Sequence, residues 1–334
     1  MKEFGLRYKS IGNISSMNFP SDALPLPDKI PLETARLFKL NAERMAGQPD
    51  PTTIPPAEGR ALLAKNDLFY NMKPLPVDNV RDDTIGGVRV RRYKHKDATP
   101  AVLLCIHGGG WAFGNVDSHD VATRALARSA KVEVISVDYR LAPEHPHTVV
   151  LQDCMAVYSA LVGGVVPASE IVLAGDSAGA HLCVLMMLAM PAINLPMPAG
   201  ACLFYGVYDD DVSTQSHAKF GPGGFGLTST RMTNYWNWYA PEDQRAKEAL
   251  RPVRDASDEA LAALPPLWFT SAGLDCLKSD TLRMIDRLRA AGHIHHTHDE
   301  VLGVPHGHLL AVNYLKATRD LISTAGAKVR NFLA

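Results

Sequence analysis

Four short, mainly apolar runs, at residues 101–106, 132–137, 171–174 and 201–205, constrain this chain more than any other feature. They lack the polar alternation of a half-exposed strand, so they suit strands buried on both faces. Helical segments fall between them, near residues 120–130, 149–161 and 178–190. Strand alternating with helix implies right-handed crossovers and a mostly parallel sheet, hence an α/β fold. Val88-Arg89-Val90-Arg91 alternates instead, as a half-exposed antiparallel strand does. The pattern lapses between Tyr205 and about Arg254, where Gly221-Pro222-Gly223-Gly224-Phe225-Gly226 and the aromatic run Tyr235-Trp236-Asn237-Trp238-Tyr239 stand. It resumes with a strand at 267–271, a helix at 278–290, a strand near 294–301 and a last helix at 308–333.

The first part of the chain differs in character. Residues 20–31 hold four prolines, and Leu32, Ala35, Phe38, Ala42 and Met45 then recur at helical spacing. A second helix is predicted over 57–70, after the turn signals Asp50-Pro51 and Pro55-Pro56. Residues 1–75 therefore read as a helical N-terminal arm and part of a cap. Residues 76–334 read as the main domain, with 206–254 an inserted cap segment.

Composition narrows the functional classes. The 34 Lys and Arg residues against 35 Asp and Glu leave a net charge of −1, which gives no basic footprint for nucleic acid or a membrane surface. The start, Met1 to Arg7, has no apolar stretch behind it, so no secretory signal is read. The longest apolar stretch, 182–190, falls well short of the roughly 20 residues of a membrane span and reads as a buried helix. Five cysteines without metal-ligand spacing suit reduced, buried thiols in a cytoplasm.

Gly175-Asp176-Ser177-Ala178-Gly179 follows the apolar run at 171–174 and opens a helix. A serine in such a strand-to-helix turn is held outward, and the helix start directs free N–H groups at it. Ser177 is the candidate nucleophile. His107-Gly108-Gly109-Gly110-Trp111 follows the run at 101–106. Acyl transfer needs donors aimed at a developing oxyanion, and a glycine loop brings backbone amides close enough. Gly108, Gly109 and Ala178 are the expected donors. Trp111 and Asp176, beside these two motifs, are candidates for touching substrate. A serine nucleophile needs a base and an acid that orients it. Asp275, just past the strand at 267–271, is favoured over Asp280, which reads as a helix cap. His306, in Val304-Pro305-His306-Gly307-His308, is favoured over His308, because a loop histidine reaches the serine more freely.

Together these residues resemble the bacterial hormone-sensitive-lipase-like family of esterases. The resemblance rests on the glycine loop, Asp138-Tyr139-Arg140-Leu141-Ala142-Pro143-Glu144-His145-Pro146, the Ser177 motif, and Leu264-Pro265-Pro266-Leu267 leading to Asp275. It implies an α/β-hydrolase fold with a helical cap and hydrolysis of small short-acyl ester substrates. It also implies no cofactor and homodimers through the last sheet strand. The chain departs from the family in three places. Cys276 replaces the usual Pro after the acid, His308 replaces Phe, and Ala180-His181 replaces the second Gly of the serine motif. The run Ser177 to Leu182 is similar to kynurenine formamidases, so an amidase or formamidase on the same triad is the alternative. A non-catalytic small-molecule receptor on this fold is a more distant one.

His293, His295, His296 and His298 crowd one stretch. They read as an exposed polar edge strand rather than as a metal site. Trp236 and Trp238 either line the acyl pocket or anchor the cap.

Overall fold

The computed structural model describes residues 30–164 and 166–334. The part of the arm that precedes residue 30, with Pro20, Pro25 and Pro27, lies outside them. Among the described residues one eight-stranded sheet organises the chain, in the order β1-β2-β4-β3-β5-β6-β7-β8. Its strands are β1 (Asn79–Ile85), β2 (Val88–Lys94), β3 (Thr99–Ile106), β4 (Val132–Val137), β5 (Ile171–Asp176), β6 (Gly200–Phe204), β7 (Leu267–Leu274) and β8 (His296–Pro305). β1 and β2 pair antiparallel, as do β2 and β4. Every other pairing is parallel. All six residues of β5 are buried, as an unbroken apolar run in a central strand requires.

Helices cover both faces. In chain order they are α1 (Leu32–Met45), α2 (Pro56–Tyr70), α3 (Asp120–Ala130), α4 (His147–Val162), α5 (Ala178–Ala189), α6 (Gln215–Phe220), α7 (Ser229–Tyr239), α8 (Glu242–Lys247), α9 (Pro252–Asp255), α10 (Asp258–Ala262), α11 (Lys278–Ala290) and α12 (Lys316–Phe332). One apolar core joins α4, α5 and the aromatic residues of α7 to the sheet. The other packs α3 and α12 on the opposite face. The long apolar stretch at 182–190 is the buried α5 together with Met190, and among the described residues no helix is long and apolar enough to cross a membrane.

Two expectations about the C-terminal part need correction. The helix expected over 308–333 is a short 3-10 turn, His308–Ala311, followed by α12 from Lys316. The last strand starts at His296 and runs to Pro305, further than the apolar pattern marks it. Its pairing with β7 continues past an irregularity between Ala272 and Leu274 to a last rung, Leu274 with Pro305. The sheet ladder thus extends strand character beyond the apolar residues and delivers the loop at 306 directly at the strand end.

Candidate active site

Ser177 sits between β5 and α5 with φ 54° and ψ −121°, a backbone conformation that L-residues rarely adopt. Such conformations cost on the order of 1–3 kcal/mol and persist where the surroundings fix them. Here Ser177 N–H donates to Phe204 O at 2.9 Å, and His181 N–H donates to Ser177 O at 3.2 Å. Gly179 is required by close approach, since a Cβ there would strike the carbonyls of Ile106 and His107. The glycine loop therefore lies directly on the serine turn.

The structure brings Ser177, His306 and Asp275 together. Ser177 Oγ lies 2.8 Å from His306 Nε2, and His306 Nδ1 lies 2.8 Å from Asp275 Oδ2. The second Asp275 oxygen accepts from the Leu277 amide at 2.9 Å, which fixes the carboxylate plane. Asp275 is buried and comes from the end of β7, whereas His306 follows β8. The two rivals lie elsewhere. His308 is buried against Thr318. Asp280 does not cap its own helix. It accepts from the amides of Tyr208 and Asp209 at 3.1 and 3.3 Å, and burial raises its pKa to about 8.

Three expected roles do not fit what the residues touch. The Gly108 amide donates to Asp176 Oδ1 at 2.9 Å, so it is already committed and is not free for an oxyanion. Among the described residues, the amides of Gly109, Gly110 and Ala178 have no hydrogen-bond partner. Asp176 is buried rather than turned to substrate. His119 Nε2 lies 3.3 Å from Asp176 Oδ1. Burial works against the Asp176 charge, but His119, the Gly108 amide and His107 outweigh it and hold the carboxyl below its usual pKa. Trp111 is fully buried, stacked on Tyr239 at 4.3 Å and packed on Trp236 at 4.6 Å. It joins the loop to α7. Trp236 is buried beside it, while Trp238 is half-buried against Phe113 and Tyr235.

The segment 138–146 explains itself as a frame for the glycine loop. Tyr139 donates its hydroxyl to His107 O at 2.8 Å, and its ring stacks on the His107 ring. Arg60 of α2 donates to Ala112 O and Ala142 O, both at 2.8 Å, and pairs with Glu144. Arg60 and His119 escaped the sequence reading because neither lies within the motifs. Gly110 was in plain view, but nothing in the sequence tells which glycine amides are already occupied.

Beside His306 of the triad, Leu37, Phe38, Asn41, Tyr70 and Arg231 help to line a cavity of about 550 Å³ between α1, α2 and α7. On the loop side the Tyr235 ring sits directly against Gly110. The histidine stretch lies away from this site. His293 and His296 face each other, Nδ1 to Nδ1, at 3.2 Å, and His298 pairs with Ser271. Among the described residues no cluster of His, Cys, Asp or Glu could hold a metal ion.

A mostly parallel sheet that holds a serine at the turn after a central strand, with a histidine and an aspartate from later strand ends, defines an α/β hydrolase. Residues 103–310 match the family described as alpha/beta hydrolase fold, and the chain belongs to that family. Its resemblance to the hormone-sensitive-lipase-like esterases falls within it. The chain is 34% identical over 225 residues to the carboxylic ester hydrolase LipN of Mycobacterium tuberculosis, an alignment that covers 62% of this chain but 57% of LipN. It is 33% identical over 263 residues to an acetyl-hydrolase of Streptomyces hygroscopicus, with 78% and 83% covered. Among solved structures it is similar to an ester-hydrolase from the metagenome of Lake Arreo, complexed with a bipyridine phosphonate derivative. That likeness has a TM-score of 0.82 and 30% identity over 90% of this chain and 98% of the other.

Proposed function

We propose that the protein is a carboxylesterase for short-chain acyl esters that works through an acyl-enzyme on Ser177. The observation that carries this reading is the chain of two 2.8 Å contacts from Ser177 through His306 to Asp275. The names of the relatives, carboxylic ester hydrolase and acetyl-hydrolase, support it.

In this mechanism His306 takes the Ser177 proton as Oγ attacks the ester carbonyl, and Asp275 holds the imidazole tautomer and stabilises its cation. The amides of Gly109, Gly110 and Ala178 receive the oxyanion, with Gly110 in place of Gly108. His306 then protonates the leaving alcohol and activates the water that frees the acid. Tyr235 against Gly110 leaves little depth for an acyl chain, while the cavity beside His306 offers the alcohol half more room. The reading includes no cofactor, a cytoplasmic location suited to the five free, buried thiols, and a homodimer through the edge strand β8.

The test is a fluorophosphonate probe together with a p-nitrophenyl ester series and an anilide control. We expect an adduct on Ser177, the fastest turnover on the shortest esters, and slow anilide cleavage. Ser177→Ala is expected to lower kcat on the order of 10⁶-fold, as loss of a triad nucleophile does. An unlabelled protein, or a Ser177→Ala variant with full activity, would remove the serine mechanism.

A further inference from the structure

Ala180-His181 stands where the serine motif of the family usually continues with a second glycine, and the mechanism above leaves His181 unused. It lies one turn into α5, with its backbone N–H bonded to the Ser177 carbonyl. Its ring is fully buried. Trp111 Nε1–H donates to His181 Nδ1 at 3.1 Å, and His181 Nε2 lies 2.7 Å from the Leu250 carbonyl. An indole N–H can only donate and a carbonyl can only accept. One form of the ring satisfies both partners, the neutral imidazole with its proton on Nε2. Burial pushes the ring down to about 4 against the opposing pull of the Leu250 carbonyl, so that neutral form persists wherever a serine hydrolase works.

What the bridge holds is a strained piece of backbone. Gly109, Gly110 and Trp111 all have positive φ, at 116°, 59° and 59°. Glycine adopts such values freely, but tryptophan does so at a cost of roughly 1–2 kcal/mol. Trp111 directly follows the two loop amides assigned to the oxyanion. A residue in that conformation persists where its surroundings fix it. The Tyr239 and Trp236 rings pack on the indole, the Ala142 amide donates to the Trp111 carbonyl at 3.0 Å, and His181 takes the indole N–H and also reaches Leu250.

We propose that His181 is a positioning residue that fixes the oxyanion loop, through Trp111, against both the nucleophile helix and the cap. It touches neither substrate nor the reacting atoms. The proposal rests on the esterase reading. If the serine mechanism of that reading fails, the wild-type protein takes no fluorophosphonate; if this proposal fails, the wild type reacts and the variants below match it.

The experiment compares wild type with His181→Phe, Trp111→Phe and His181→Gln, by steady-state kinetics, by affinity for a trifluoromethyl ketone that mimics the tetrahedral intermediate, and by Tm. His181→Phe keeps a flat ring and removes both bonds. We expect kcat to fall roughly 10- to 100-fold, short of the full loss of an oxyanion donor, with KM within about twofold. The ketone should bind more weakly by a similar factor. Trp111→Phe should do the same, and the two together should cost little more than either alone. His181→Gln, which offers an acceptor and a donor side by side, should recover part of kcat. If His181→Phe does not fold, Trp111→Phe decides. A lower Tm with unchanged kcat and unchanged ketone affinity would overturn the proposal, as would Gln and Phe variants of equal activity.

Discussion

The carboxylate of Asp176 holds the amide of Gly108 at 2.9 Å, so the residue before the nucleophile fixes the loop that faces it. With His119 at 3.3 Å behind it, this carboxylate couples the serine turn to the start of the glycine loop. Asp176→Asn keeps an acceptor for Gly108 but leaves His119 without its countercharge. Asp176→Ala removes both. Hydrogen bonds to charged groups contribute about 1.5–3 kcal/mol, so we expect kcat to fall moderately in the Asn variant and by roughly 10- to 100-fold in the Ala variant. Steady-state kinetics on one ester check the order of the two.

Arg60 reaches from the arm to the same loop. Its bonds to Ala112 O and Ala142 O would be lost in Arg60→Ala, leaving Glu144 unpaired. Glu144 is largely exposed, so most of the loss falls on the two carbonyls. We expect a fall in Tm of a few degrees and a measurable drop in kcat, whereas Lys39→Ala, in an exposed pair with Glu43, should change neither. Equal effects of the two substitutions would show that the arm does not brace the loop.

Tyr235 covers Gly110 from the cap helix α7. Tyr235→Ala opens space on that side. Turnover should shift toward longer acyl chains, with the ratio of octanoate to acetate kcat/KM rising about tenfold or more, since each buried methylene adds about 0.8 kcal/mol. An unchanged chain-length profile would place the acyl group elsewhere.

Asp280 carries a pH signature in stability. The groups around it are the amides of Tyr208 and Asp209, the Asp209 carboxylate and the Arg283 guanidinium. Burial raises its pKa from 3.8 to about 8, so between those values the folded chain keeps a proton that the unfolded chain releases. Stability from this group is therefore full at low pH and is lost as pH rises toward 8, by at most about 1.4 kcal/mol per pH unit. Asp280→Asn mimics the protonated form. Its Tm should gain on wild type steadily from pH 5 to pH 8, and parallel Tm curves would refute the assignment.

The proposed homodimer is tested at Leu302, which is 73% exposed on β8. Wild type should sediment as a dimer and Leu302→Lys as a monomer, because an inserted charge at an edge blocks pairing. A monomeric wild type would dismiss that part of the reading.

The α/β architecture was legible in the sequence because buried parallel strands leave mainly apolar runs and the arm helices show clear spacing. Ser177 and Asp275 were legible because an apolar strand ends shortly before each, and His306 because it stands in a loop ahead of the last helix. The errors arose where function depends on which way a group points. Gly108 and Gly109 are indistinguishable in sequence, yet one amide is bound to Asp176 and the other is not. Trp111 reads as a pocket residue beside a loop, but the positive φ there turns its ring into the core. The 3-10 turn at His308–Ala311 was absorbed into α12 because an apolar residue every third or fourth position does not separate the two helix types.

Among the described residues β8 has a sheet neighbour on one side only, and His306 follows its last residue. Ser177 follows a central strand. Sheet margins open locally at a lower free energy than the centre does. If this margin opens before the molecule melts as a whole, the catalytic pair separates first, and heat inactivation would precede loss of the circular dichroism signal. A second copy paired along the same margin would lengthen the working life of His306 without altering its chemistry.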